Sequence, residues 1–216
     1  MTEHIFEPMR RAMVASQLRT TGVNDPRVVA AMGEVPREDF VPEERRALAY
    51  ADALVPLGNG RALNPPMALG RMLTEARLGG SERALVIGAG TGYSAALLAR
   101  LAGTVVALEE HAGLAACAKE ALAGTGVALA KGPLAKGWPR RAPYDFILID
   151  GAVEHVPRAI VDQVADGGRI SFAVVDRGVT RLAIGRAVEG AFGITIYADA
   201  AAAILPGFEK PRIFSF

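Results

Sequence analysis

The chain is short of several things, and each shortage closes a class of explanation. Its 216 residues include one cysteine, Cys117. That thiol has no partner for an intramolecular disulfide or a zinc site, and its Ala-rich helical surroundings predict a core position. Aromatic residues are 6% of the total, with a single tryptophan, and net charge is only +1. The pairs Arg10-Arg11, Arg45-Arg46 and Arg140-Arg141 have no aromatic interleaving. They read as solvated faces, so no nucleic-acid partner is expected. Although 51% of residues are hydrophobic, no eighteen consecutive ones are apolar, so no membrane span is expected. Residues 1–7 lack the basic start and apolar stretch of a secretory signal, which makes the cytoplasm the expected location.

What is present is organised around residues 84–93, Ala-Leu-Val-Ile-Gly-Ala-Gly-Thr-Gly-Tyr. A short apolar run ends in glycines and opens a helical pattern, so it reads as strand, tight turn and helix start. The dinucleotide fingerprint needs G-x-G-x-x-G/A, but Tyr93 fills the sixth position and the spacing is G-x-G-x-G. A second apolar run, Thr104 to Leu108, ends in Glu109, seventeen residues after Gly92. An acid at the tip of a second strand can accept hydrogen bonds from ribose hydroxyls. The two sites fit an adenosine ligand whose other end is an amino acid, and S-adenosyl-L-methionine is such a ligand.

The N-terminal part is predicted to be helical. Met9, Met13, Val14, Gln17 and Leu18 share one helical stripe, and Asn24-Asp25-Pro26 announces a second helix. Residues 35–42 read as a turn, followed by a short helix through Ala47 and Leu48. Residues 50–66, with three prolines and two glycines, read as a shaped loop. A helix is predicted from Pro65 or Pro66, capped by Asn64, to the Gly79-Gly80 stop. From residue 83 strands alternate with helices, which implies a mostly parallel sheet. The strands are predicted near 83–87, 104–108, 127–130, 144–149 and 168–175, and the helices near 92–102, 111–123 and 157–164. Pairing strands near 180–188, 193–198 and 211–215 complete the sheet. The resulting fold class is α/β, Rossmann-like, with residues 1–80 as a helical substrate-side region and 81–216 as the core of one compact unit.

Along nearly its whole length the chain resembles the protein-L-isoaspartate O-methyltransferase family. The blocks that carry the likeness include Met13-Val14-x-x-Gln17-Leu18, Val35-Pro36-Arg37-Glu38-x-Phe40-Val41-Pro42, Pro56-Leu57-Gly58-x-Gly60, Ile87-Gly88-x-Gly90-x-Gly92-Tyr93, Gly137-Trp138-Pro139 and Gly167-Gly168-Arg169. The resemblance implies methyl transfer from S-adenosyl-L-methionine to the carboxylate of isoaspartyl or D-aspartyl residues in damaged proteins. It places Gly88, Ala89, Gly90, Gly92, Glu109, Gly132 and Asp150 on the cofactor. Leu57, Gly58, Leu63, Pro66 and Leu205 fall on the side of the protein or peptide substrate. Asn64 stands where the family has a catalytic serine. Two other departures are Val86, where the family has an acid, and Pro133-Leu134, which replace an aspartate-glycine.

Other readings concern the same residues. Asn64-Pro65-Pro66-Met67 is similar to the Asn-Pro-Pro-aromatic motif of amino methyltransferases, but no apolar strand precedes it and Met67 offers no stacking face. Asp150 ends a predicted strand, as in metal-dependent methyltransferases of the catechol type. The residues after it supply no clear oxygen ligands, so no metal is expected and Asp150 is placed at the active-site mouth. His4, His111 and His155 are expected at the surface. A changed acceptor, or a non-catalytic scaffold on this fold, are the alternatives to isoaspartyl methylation. Oligomeric state is open, with a monomer favoured.

Overall fold

A computed structural model describes residues 3–210 of the chain, with side chains from residue 5. Helix α1 (Glu3–Ala12) runs into a π-helical turn, Met13–Leu18, which buries Met13 and Leu18 completely. Helix α2 (Pro26–Glu34) starts as predicted: the Asp25 carboxylate accepts from the N–H groups of Arg27 and Val28, with proline in the first turn. Two 3-10 turns follow, Arg37–Phe40 and Glu43–Leu48, in place of the predicted plain turn and short helix. Arg10 does not lie on a solvated face: it donates to the Tyr50 hydroxyl (2.7 Å) and pairs with Glu38 (2.9 Å).

The middle of the proline-rich stretch, residues 55–63, is not an irregular loop. It forms a two-stranded antiparallel hairpin of β1 (Val55–Gly58) and β2 (Arg61–Leu63). Asn59 and Gly60 turn it with φ of 52° and 70°, the left-handed pair that matches the twist of a tight hairpin. The three prolines outweighed this Asn-Gly signal in the sequence reading. Helix α3 (Pro66–Ala76) follows, and its N-cap is Pro65 rather than Asn64.

The main sheet is built from β3 (Arg83–Ile87), β4 (Thr104–Glu109), β5 (Ala128–Lys131), β6 (Tyr144–Val153), β7 (Val164–Asp176), β8 (Val179–Val188) and β9 (Ala191–Asp199). Its order is β5-β4-β3-β6-β7-β8-β9; the first five strands in this order run parallel, and β8 and β9 pair antiparallel. The crossover helices are α4 (Tyr93–Leu98), α5 (Ala112–Ala121) and a single turn, α6 (Arg158–Val161). The strand predicted near 211–215 lies outside the described residues. One face of the sheet packs on α2, α3, α4 and the π-helical turn through Met32, Leu69, Met72, Leu97 and Leu18; the other, which carries Tyr144 and Phe172, packs on Ile160 and Phe208. Chain order reverses between β3 and β6, so the crevice beyond their carboxyl ends is the switch point where ligands of such sheets bind. Cys117 is exposed on α5 rather than buried, because Leu114 and Ala118 take the inward positions.

Glu82 anchors the entrance to β3. Its carboxylate accepts from the N–H groups of Gly79 (2.7 Å) and Gly80 (2.8 Å) and from Arg169 (3.0 Å). Burial alone would raise its pKa, but these donors together hold it down at about 2. A depressed acid stabilises the fold above its unfolded pKa, and that contribution is lost as pH falls through the native value. Glu82→Gln is therefore expected to flatten the loss of stability between pH 5 and 2, as read from urea midpoints. An unchanged acid limb would remove Glu82 as its source.

Candidate active site

The crevice floor is the turn after β3. Gly88, Gly90 and Gly92 all have positive φ, at 79°, 57° and 106°, a conformation that side chains with a Cβ rarely adopt. Glu109, at the tip of β4, is fully buried beside the turn. Its Oε2 accepts from the Gly90 N–H at 2.7 Å. Its Oε1 accepts from the N–H groups of Glu110 and His111, both at 3.0 Å, and from Arg61 Nη1 at 2.8 Å.

Arg61 is the residue the sequence reading missed. It is the first residue of β2, only 7% exposed, and it also donates from Nη2 to the Gly88 carbonyl at 3.0 Å. The available signal was the Asn59-Gly60 turn, which sends the next residue back along the hairpin into the crevice. Leu57 and Leu205 close the rest. A Cβ at Gly90 would lie 3.2 Å from Leu57 Cδ1, and one at Gly88 would lie 2.9 Å from Leu205 Cδ2.

Leu205 is held there by backbone pairing. Ala152 at the end of β6 donates to Ala203 O (2.7 Å) and accepts from Leu205 N–H (2.9 Å). Asn64 completes the clasp: its Oδ1 accepts from Ala203 N–H and its Nδ2 donates to Asp150 Oδ1, both at 2.7 Å. Asn64 is thus no helix cap; it is 2% exposed and ties the β2–α3 junction to β6 and the C-terminal segment. Asp150 does not end its strand or line an open mouth. It is buried within β6, which continues to Val153. Arg37, with no exposed surface, backs this cluster by donating to the carbonyls of Ala49 and Asn64, and its guanidinium lies 4.8 Å from the centre of the Tyr93 ring.

The remaining predicted residues are less central. Gly132 lies against Trp138 and Leu108, and Pro66 and Leu63 are buried at the start of α3 and the end of β2. Gly58 has φ 87° at the hairpin turn. Ala89 is buried within the glycine turn. His111 is exposed but has a structural task, capping α5 through its Nδ1 (3.3 Å from Leu114 N). Among the described residues no group of three or more His, Cys, Asp or Glu side chains could hold a metal ion. No described helix is long and apolar enough to cross a membrane.

Burial pushes the Asp150 carboxyl above its ordinary value, against the opposing pull of Ser94, Asn64, Arg61 and Arg37. The native state then binds the proton more tightly than the unfolded chain, so stability falls as pH rises through the native pKa. Asp150→Asn keeps an acceptor for Asn64 and has no charge to bury. It is expected to remove that fall and to be the more stable chain above it; urea midpoints that track the native profile would contradict this.

The profile of the Protein-L-isoaspartate(D-aspartate) O-methyltransferase (PCMT) family matches residues 9–191. The chain belongs to that family. A protein-L-isoaspartate O-methyltransferase of Rhodopseudomonas palustris is 42% identical over 181 residues, covering 82% of this chain and 74% of its own. One from Marinobacter nauticus is 41% identical over 197 residues, covering 86% and 89%. Among solved structures, a protein-L-isoaspartate O-methyltransferase superposes with TM-score 0.77 at 21% identity, covering 93% of this chain and 66% of that one. A Plasmodium falciparum PCMT homologue in complex with S-adenosyl-L-homocysteine has TM-score 0.74 at 16% identity, covering 92% and 96%. These two likenesses are of fold, and the fold is the class I S-adenosylmethionine-dependent methyltransferase fold. The PCMT family is S-adenosylmethionine-dependent. In this member the glycine turn and the buried acid suit that cofactor by their chemistry, while the side chains of Arg61, Leu57 and Leu205 lie over them.

Proposed function

We propose that this PCMT family member is an S-adenosyl-L-methionine-dependent O-methyltransferase that esterifies the carboxylate of isoaspartyl or D-aspartyl residues in damaged proteins. The observation that carries the reading is Glu109, a fully buried carboxylate hydrogen-bonded to the glycine turn at the switch point of the sheet. When bound, the cofactor supplies a methyl group already activated on a cationic sulfur. The backbone at Gly88, Ala89, Gly90 and Gly92 would hold its amino-acid end, Glu109 its ribose, and Gly132 the neighbourhood of its base.

A carboxylate acceptor has a pKa of about 4, so it is ionised at neutral pH and needs no base from the protein. The work left to the chain is positioning, which by itself supplies a large part of the rate in such reactions. Asn64 and Asp150 are assigned to the reacting end of the crevice. Asn64 has one amide hydrogen beyond the bond it makes to Asp150, enough to orient an acceptor oxygen. Leu57, Gly58, Leu63, Pro66 and Leu205 are assigned to the wall facing the substrate.

The test is transfer of a labelled methyl group to an isoaspartyl peptide as a base-labile ester. Label that survives mild alkali would point to a nitrogen or ether-oxygen acceptor instead. Asn64→Ala is expected to lower kcat by about 10²-fold or more while the cofactor still binds, a size typical of losing one oriented donor. Full activity in that variant would remove Asn64 from the mechanism.

A further inference from the structure

A carboxylate offers about four acceptor positions. At Glu109 four donors converge: the N–H groups of Gly90, Glu110 and His111, and Arg61. Three of them crowd Oε1 and one takes Oε2, so while Arg61 stays Oε1 is saturated and only one position, on Oε2, is left for a sugar hydroxyl. The same guanidinium takes the Gly88 carbonyl, and Leu205 fills the space above that glycine. Immediately outward, between the β1–β2 hairpin and the start of α5, a cleft of ≈ 610 Å³ remains open, lined by Asn59, Arg61, Glu110, His111, Leu134 and Pro206. Arg61 is therefore the wall between an open outer cleft and a filled inner crevice.

We infer that Arg61 is a built-in competitor for the sugar site, and that a cofactor nucleoside binds by displacing it from Glu109. The inference rests on the cofactor reading above. Arg61 opens the second strand of a short two-stranded hairpin, directly after turn residues that are exposed, so it can swing outward without unpacking the main sheet. The outer cleft is wide enough for a nucleobase to dock before Arg61 has moved. Every binding event then carries the cost of opening a buried ion pair. Glu109 itself keeps its three backbone donors when Arg61 leaves, so the empty carboxylate is not orphaned and the exchange is reversible. The departure of Leu205 is a separate event, since its segment is held by Ala152 and Asn64 and not by Arg61.

The experiment is calorimetric titration of the full chain with S-adenosyl-L-homocysteine, compared with Arg61→Ala and Arg61→Gln, each checked for native circular dichroism. The expected result is that both variants bind at least tenfold tighter than the native chain, which corresponds to about 1.4 kcal/mol. Arg61→Gln keeps a polar side chain of similar reach, so a folding failure of the alanine variant does not remove the test. Equal or weaker binding by a folded variant overturns the inference and makes Arg61 neutral or a ligand of the nucleoside. Absence of binding by all three chains at millimolar ligand overturns the cofactor reading as well, so the two failures are told apart.

Discussion

Glu109→Ala is expected to lose about 3–5 kcal/mol of stability, together with measurable cofactor binding. The size follows from what the substitution leaves behind. Arg61, 7% exposed, would keep its charge in the crevice with the Gly88 carbonyl as its remaining hydrogen-bond acceptor, and removing one partner of a buried pair carries a penalty of about this magnitude. The N–H groups of Gly90, Glu110 and His111 would also lose their acceptor. Arg61→Ala is expected to cost much less, because the three backbone donors still satisfy Glu109. Urea denaturation of the two single variants and the double variant measures this asymmetry directly. Equal losses in the single variants would mean that Arg61 and Glu109 depend on each other alike, and that the backbone donors contribute little.

Arg37→Ala is expected to lose about as much, for a different reason. Arg37 is a long side chain with no exposed surface in the 3-10 turn Arg37–Phe40, and its guanidinium bridges the carbonyls of Ala49 and Asn64 over the Tyr93 ring. Truncation orphans two buried carbonyls, at about 1–3 kcal/mol each, and leaves a cavity beneath the active site. The Asn64 carbonyl belongs to the residue that clasps Asp150 and Ala203, so the variant is also expected to loosen the C-terminal segment. Faster amide exchange at Ala203 and Leu205, alongside the drop in denaturation midpoint, checks this. Arg37→Met, which fills most of the volume, is expected to recover part of the stability and none of the protection at Ala203. Full protection in either variant would show that Asn64 holds its place without Arg37.

Much of the fold was legible because its signals are local. The strand–turn–helix at 83–98, the acid ending β4 and the Asp25-Pro26 start of α2 each depend on residues within a few positions of one another. The hairpin at 55–63 was misread because prolines and an Asn-Gly turn give opposite local messages. Their conflict is settled by pairing partners: Val55 and Leu63 are both buried at matching positions of the hairpin. Cys117 was misplaced because an alanine-rich helix has little amphipathic contrast, so its inward face is chosen by what packs on it. The reading of Asn64 as a helix cap failed for a similar reason. Its side chain found better partners 86 and 139 residues away than the helix directly following it.

By itself the amino-acid order determined the sheet-and-helix alternation, the glycine turn, the acid at the second strand tip and the family. All of these rest on backbone preferences and on spacing along the chain. Only the tertiary structure decided how the crevice is filled. Arg61 reaches Glu109 across 48 positions, and Leu205 is brought over Gly88 by pairing with the end of β6. Such contacts depend on which buried charge finds which partner once the chain is compact. Burial raises the stakes of that pairing far above any local preference, and no short window of sequence contains both members.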